Sequence, residues 1–363
     1  YKLNKSFFGY FLVIKMSKVR KDSEIMKYMK ETSRESDSYT LGLLDRLKSE
    51  SRDIYEYAIH LPYLRNRLKN GNRAIPKARN ALGRLIYESL TDKDWRKIIP
   101  ALSFIELSTV ATYVLDDIID NQPERQRNEA TWKKYGINKG IIAGSLQTFL
   151  SLDSLNNLDI NDSNKVRVLN LANNMWLKLW TGEGFNEEMK ENTSFEEYIN
   201  RSYNIAGIMF GTIAQITAIC ANASDEYLQI ASNIGRNYGN ASMARNDLID
   251  LLPKFGESSK ALSKKPHEDI EKGIWTYPVI HLMQNADEED KKLVMALLGN
   301  KSDNSTYYLM ESMLNKYGSI NATLNLITEY KDRANSEIMK LPESKNRELL
   351  FELTGLLENL RGV

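Results

Sequence analysis

The sequence predicts an all-α protein, a single helical domain surrounding a deep cavity and preceded by an extension over residues 1–37. Three observations carry that prediction. From residue 38 to the end, apolar residues recur at helical spacing, beginning with Leu41, Leu43, Leu44 and Leu47. Clusters of Gly, Asn, Asp and Ser divide the runs, while β-hairpin signals are scarce. Two acidic clusters, Asp116-Asp117-Ile118-Ile119-Asp120 and Asn246-Asp247-Leu248-Ile249-Asp250, each close a long apolar run, which sets both at one end of a bundle.

Residues 1–15 hold a short apolar run, Phe7 to Ile14, too short to span a bilayer. Lys2 and Lys5 precede it as in a signal peptide, but no small-residue cleavage site follows, and Met16 offers an alternative start. Residues 17–37 are highly charged and read as a mobile arm or a loose first helix. The helical domain is expected over 38–363. Ala78 to Leu90 forms a helix entered through Pro76. Asp92 or Asp94 caps the next, from Trp95 to Asn121, with Pro100 near its start and Pro123 at its end. Further helices are expected over 138–156, 162–181, 194–221, 225–252, 268–284, 288–298, 303–316, 319–341 and 344–361. No repeat of 20–50 residues is evident, and no transmembrane segment is expected.

Asp116 and Asp120 are one helical turn apart, so their carboxylates share a face and repel. A cation between them offsets that cost. Oxygen ligands without Cys or His suit a hard cation such as Mg²⁺, which leaves coordination positions for water and phosphate oxygens. Asn246, Asp247 and Asp250 repeat the pattern downstream. Two such clusters point to a metal–diphosphate site, against the simpler reading of two solvated helix ends.

Composition narrows the alternatives. Among 363 residues, 49 are basic and 48 acidic, so there is no basic excess of the kind nucleic acid requires. The single Cys220 excludes an internal disulfide and fits a reducing, cytoplasmic compartment. His60, His267 and His281 do not cluster and read as packing or surface residues.

With both clusters placed, residues 60–361 resemble the trans-prenyl (isoprenyl) diphosphate synthase family. The resemblance rests on the intact Asp116–Asp120 motif, Ile105-Glu106-Leu107 before it, Thr131 through Gly136 and Ile142-Ala143-Gly144 after it. Gly182-Glu183, Lys265-Pro266, Asp269-Ile270, Gly273, Thr276-Tyr277-Pro278 and the stretch from Ala334 to Arg361 continue it. It implies an isoprenoid-synthase-type bundle, a homodimer, and Mg²⁺, three ions with substrate bound, on Asp116, Asp117, Asp120, Asn246, Asp247 and Asp250. It also implies a prenyl diphosphate substrate that ionises and is then attacked by isopentenyl diphosphate.

The departures fall mainly on the second-substrate side. The family's Gly-Lys-Arg-x-Arg-Pro reads Gly71-Asn72-Arg73-Ala74-Ile75-Pro76, leaving Arg73 alone. The family's His before the first motif is Thr109, and its Arg-Arg-Gly appears as Gln126-Arg127-Asn128 after one extra residue. Its Lys-Thr is Ile205-Ala206, its Phe-Gln is Ser242-Met243, and the Lys of Gly-Lys-x-Thr is Ile274. Each lost contact to a charged phosphate costs about 1.5–3 kcal/mol. The leading expectation is therefore a class I terpene synthase that ionises one prenyl diphosphate of fifteen to twenty carbons, geranylgeranyl diphosphate foremost. Asn246 fits the cyclase pattern, while Lys254 stands where those enzymes carry a Glu. The rival readings are a chain-elongating synthase with an altered second site, a prenyltransferase with another acceptor, and a non-catalytic partner subunit.

Asp116 and Asp120 are the expected catalytic centre. Arg201, one turn before Ile205, is expected to supply the cation lost there, or else to be a solvent-exposed helix arginine. Arg73 and Arg127 remain for diphosphate contacts. Ser108, Ala111 and Thr112, with Thr109, are small and precede the first motif by one to two turns. They either deepen the cavity or admit a neighbouring helix. Tyr203, Phe210 and Trp180 are the aromatic rings expected to face a carbocation, while Trp95 and Trp132 are expected to be structural.

Overall fold

The computed structural model describes residues 23–61, 76–125, 128–188, 193–252, 267–300 and 304–358. Its elements are α1 (Glu24–Asp45), α2 (Leu47–Glu50), α3 (Arg52–Ala58), α4 (Ala78–Leu90), a 3-10 turn (Trp95–Ile98) and α5 (Ile99–Ile119). A two-residue antiparallel pair follows, β1 (Glu124–Arg125) with β2 (Asn128–Glu129). Then come α6 (Thr131–Tyr135), α7 (Ile137–Leu155), α8 (Asp162–Glu188), α9 (Phe195–Ser202), a π-helical turn (Tyr203–Gly207), α10 (Ile208–Cys220) and α11 (Asp225–Leu251). The last are α12 (Glu268–Glu271), α13 (Tyr277–Asn285), α14 (Glu288–Leu297), α15 (Asn304–Lys316), α16 (Ser319–Ile338) and α17 (Lys345–Gly355).

The expected all-α class holds, with three local revisions. First, of the two readings of residues 17–37, a mobile arm or a first helix, the helix is the one present. Helix α1 begins at Glu24 and buries Ile25, Met26 and Met29 in the main core. Its buried face continues with Thr32, Ser33, Ser36 and Thr40, hydroxyls instead of apolar groups, which hides it from a hydrophobic periodicity search. Those hydroxyls have partners: Thr40 bonds Ser103, and the Asn80 amide donates to Ser36. Second, the expected helix 268–284 is two helices, broken at Gly273 with φ +70°. Third, the expected helix 194–221 contains the π-helical turn, where one extra residue is accommodated.

Local signals explain the boundaries. The Asp94 side chain accepts from the Arg96 amide and starts the 3-10 turn into α5, with Pro100 tolerated in the first α turn. A capping box of Ser194 and Glu197 opens α9, and Ser224 caps α11.

Helix α5 is central and buried from Pro100 to Thr112, so its apolar character covers every face. It packs chiefly on α7, while α10 packs on α11 and α4. Two stretches long and apolar enough to span a membrane, Trp95–Ile119 and Phe195–Cys220, are 78% and 83% buried in the fold, as core helices are. Helices α10 and α11 meet backbone to backbone. A Cβ on Gly235 would lie 2.3 Å from the Phe210 carbonyl oxygen, and one on Gly239 2.6 Å from that of Ala206. This crossing fixes the second acidic cluster, on the last turn of α11, relative to the π-helical turn.

Candidate active site

The first acidic cluster ends α5. Asp120 is its C-cap, and Asn121, at φ 51°, turns the chain back. The Gln122 amide donates to the Asp117 carbonyl, and the β1–β2 pair brings Arg125 over the helix end. Arg125 is 2% exposed. Its Nε donates to Asp117 Oδ1 and its Nη2 to Asp116 Oδ2, both at 2.8 Å, and its guanidinium lies 4.8 Å from the Tyr113 ring centre. Asp117 is fully buried, and its second oxygen, Oδ2, has no hydrogen-bond partner. Burial lifts the Asp117 carboxyl to about 6 even though Arg125 pulls it down, and Asp116 and Glu268 add to the rise.

The second cluster ends α11. Asn246 is exposed, while Asp247 and Asp250 are buried. Asp247 accepts the Tyr198 hydroxyl of α9 at 2.8 Å. Asp250 accepts the backbone amides of Glu268 at 3.3 Å and Asp269 at 3.0 Å, so both its oxygens cap α12. From α12, Lys272 reaches across. Its ammonium lies 2.5 Å from Asp120 Oδ2 and 2.5 Å from Glu268 Oε1. The two clusters therefore face each other, joined through Asp250, α12 and Lys272.

The residues expected from sequence divide as follows. Asp116, Asp117, Asp120, Asn246, Asp247 and Asp250 lie on the two facing helix ends. Arg201 is 3% exposed, which removes the solvent-exposed alternative. It lies over the ring of Tyr198, the partner of Asp247. Phe210 is buried against Tyr238, with ring centres 4.8 Å apart. Tyr203 is half-buried under the Arg236 guanidinium. Trp180, expected in the cavity wall, is instead 36% exposed and stacked on Trp176, because it stands at the rim of the buried face of α8. Ser108 is buried and donates to Ser151 of α7 at 3.2 Å. Ala111 belongs to the main core, and the Thr112 hydroxyl donates to its own helix at the Ser108 carbonyl. These small residues serve, in part, the close approach of a neighbouring helix. Arg73 and Arg127 lie outside the described residues.

Sequence reasoning missed Arg125, Lys272, Glu268 and Tyr198. Arg125 is five residues past Asp120 and two before Arg127, the arginine that the family resemblance singles out. Lys272 stands two positions before Ile274, where a lysine was noted as lost.

The donors are all oxygen, and the orphaned Asp117 Oδ2 and exposed Asn246 amide are open to a hard cation. The residues thus fit Mg²⁺ chemically. Among the described residues no three acidic, His or Cys side chains converge on one point, since Arg125 and Lys272 occupy the carboxylates. A cavity of about 350 Å³ between α8, α10 and α11 is elsewhere. Its Leu228 is 18 residues before Asn246, about 27 Å along the helix.

An all-α bundle with two acidic helix ends facing one another defines the isoprenyl-synthase fold class. Residues 70–317 match the polyprenyl synthetase family model, and the chain belongs to that family. It is 27% identical to the short chain isoprenyl diphosphate synthase of Methanocaldococcus jannaschii over 215 residues, 59% of this chain and 64% of that one. The aligned stretch thus spans less than two thirds of that relative's length. The structure resembles geranylgeranyl pyrophosphate synthetase from Pyrococcus horikoshii, with TM-score 0.81 and 27% identity over 92% of this chain and 98% of that one. It also resembles a polyprenyl synthase from Caulobacter crescentus complexed with calcium and isoprenyl diphosphate, with TM-score 0.77 and 18% identity over 94% and 99% of the two chains, a likeness of fold.

Proposed function

We propose that this protein is a chain-elongating prenyl diphosphate synthase, a transferase that ionises an allylic prenyl diphosphate and joins it to isopentenyl diphosphate. This replaces the leading expectation of a terpene cyclase with what was the rival. The similar proteins, by their names, make isoprenyl and geranylgeranyl diphosphates, which favours elongation over cyclisation. The observation that carries the reading is the pair of cations at the facing acids. Arg125 and Lys272 supply positive charge that the sequence comparison counted as missing.

Asp116, Asp117, Asp120, Asn246 and Asp247 would hold Mg²⁺. When bound, the metal supplies the charge that stabilises a departing diphosphate. Arg125 and Lys272 exchange their carboxylate partners for diphosphate oxygens, and guanidinium suits that task through paired N–H donors. Arg201, buried beside Tyr198, adds charge on the α9 side and holds the ring that positions Asp247. Thr112 and Ala111 leave little bulk one turn below Asp116, which supports a product near the length of geranylgeranyl diphosphate.

A homodimer is part of this proposal. Ile137, Ile141 and Phe149 form an exposed apolar stripe along α7, with Phe149 69% exposed, and a second copy of the chain would cover it.

The test is incubation with Mg²⁺ and allylic diphosphates of ten to twenty carbons, with and without isopentenyl diphosphate, with hydrocarbons and diphosphates analysed separately. A longer diphosphate should form only with isopentenyl diphosphate and vanish in Asp116→Ala. A hydrocarbon or alcohol formed without it would return the cyclase reading.

A further inference from the structure

His267, beside the second acidic cluster, holds a left-handed backbone with φ 66°. Residues with a Cβ seldom adopt that conformation, and it persists where the surroundings enforce it. At the other end of α12, Gly273 leaves with φ 70°. The four residues of α12 are thus set between two left-handed positions, and Lys272 is the C-cap just before the second.

Two elements enforce this arrangement. From α11, the Asp250 carbonyl accepts the His267 amide at 3.0 Å, while the Asp250 carboxylate accepts the amides of Glu268 and Asp269. From α15, Tyr307 adds two contacts of its own. Its ring lies flat on the His267 imidazole, with centres 3.5 Å apart and planes 12° from parallel. Its hydroxyl donates to Glu271 Oε1 at 3.2 Å. One side chain therefore grips α12 at the residue before it and at its last residue. Tyr307 and His267 are both buried.

Helix α15 is fixed in turn by an apolar cluster separate from the main core. Its Met310, Met313 and Leu314 pack there with Ile270 of α12 and with Leu251, the last residue of α11. The Ile270 carbonyl also accepts the Gly299 amide at 2.8 Å. Lys272, next to Glu271, is the residue that crosses to Asp120 on the opposite helix end. A lysine is a point charge on a flexible stem, so where its helix ends decides what it reaches.

We propose that Tyr307 is a positioning residue: through the His267 stack and the Glu271 hydrogen bond it fixes α12 so that Lys272 meets the metal-held diphosphate. This rests on the role given to Lys272 in the elongation reading and supplies what holds that lysine in place. Tyr307 itself touches neither substrate nor metal.

The experiment measures binding of pyrophosphate with Mg²⁺ by calorimetry, and KM for the allylic and isopentenyl diphosphates. The proteins are wild type, Tyr307→Phe, Tyr307→Leu, Lys272→Met and Lys272→Met combined with each Tyr307 change. Thermal unfolding verifies that each is folded. Tyr307→Leu removes both contacts and should weaken pyrophosphate binding and raise the allylic KM by about tenfold, as loss of a charge-assisted contact does. Tyr307→Phe keeps the stack and should change both by about two- to threefold. KM for isopentenyl diphosphate should stay within about twofold. In the Lys272→Met background, Tyr307→Leu should change pyrophosphate binding by less than about twofold, because the residue it positions is gone. Effects that multiply in the double variant overturn the assignment, since a merely structural tyrosine acts whether or not Lys272 is present. Tyr307→Leu that binds pyrophosphate as wild type does overturns it too. Wild type that binds pyrophosphate with Mg²⁺ but does not elongate overturns the elongation reading, and the binding cycle alone then decides the assignment. Wild type that binds no pyrophosphate overturns both. Should Tyr307→Leu fail to fold, Tyr307→Phe decides: affinity equal to wild type overturns the assignment, and a loss seen only where Lys272 is present supports it.

Discussion

Arg125 and Asp117 form a buried ion pair whose partners depend on one another. Removing one side of such a pair leaves an uncompensated buried charge, at a cost of about 3–5 kcal/mol. Arg125→Met should therefore lower the thermal midpoint of the metal-free protein by several degrees and abolish its stabilisation by Mg²⁺ with pyrophosphate. An unchanged midpoint would disprove the dependence. The Asp117 carboxyl, at about 6 in the fold against 3.8 ordinarily, gives a pH signature. Between those values the folded chain holds a proton that the unfolded chain has released. The contribution of Asp117 to stability is thus fully present below about pH 4 and is lost as the pH rises through 6. With a chelator, wild type should gain stability from pH 7 to pH 5 relative to Asp117→Asn; equal pH slopes in the two would refute it. The sequence revealed the acids themselves, since carboxylates at i and i+4 after an apolar run need no neighbours to be noticed. It concealed Arg125, because which cation folds back depends on the turn at Asn121 and the β1–β2 pair, and these are tertiary facts.

Elements were legible where apolar periodicity carried them. Helices α4, α5 and α11 fall close to their expected bounds, and α9, the π-helical turn and α10 together fill the expected 194–221. The start of α1 was hidden because its inner face is hydroxyl-rich, and hydrogen bonds to Asn80 and Ser103 do what apolar contact does elsewhere. Helix α12 was fused with α13 because Gly273 inside a helical pattern gives no warning of its left-handed backbone. The α10–α11 crossing makes a sharper test of how elements meet. Gly235→Ala places a methyl group against the Phe210 carbonyl and should destabilise by about 1–3 kcal/mol. Gly42→Ala, on an open face of α1, should stabilise by about 0.5–1 kcal/mol. Thermal or denaturant unfolding checks both; equal effects would mean that the backbone contact is not tight.

For the whole molecule, the order of motifs was enough to give the family and the fold, because the spacing of the acidic clusters along the chain follows the bundle's topology. The chemistry was less legible. Counting cations at family positions suggested a dismantled acceptor site, yet Arg125 and Lys272 bring positive charge to the facing acids. Charge at a site depends on where side chains end, and a linear register records only where they begin. Assembly is a property at this scale too. Phe149→Glu should convert a dimer to a monomer in sedimentation or light scattering, since it sets a charge at the most exposed residue of the α7 stripe. A wild type that is already monomeric would remove the proposed partner copy.

The π-helical turn has an angular consequence. In an unbroken α-helix each residue advances about 100°, so Arg201 and Phe210, nine residues apart, would point to opposite sides. One accommodated residue takes out about one such step and brings them to roughly a right angle. The turn acts as a phase correction within a single rod. It lets α9 present Arg201 beside Tyr198 and Asp247 while α10 presents Phe210 to Arg79 and Tyr238. Deleting one residue between Tyr203 and Gly207 would relieve the bulge and keep the two side chains at about the same relative angle, because eight residues of plain α-helix turn through the same arc.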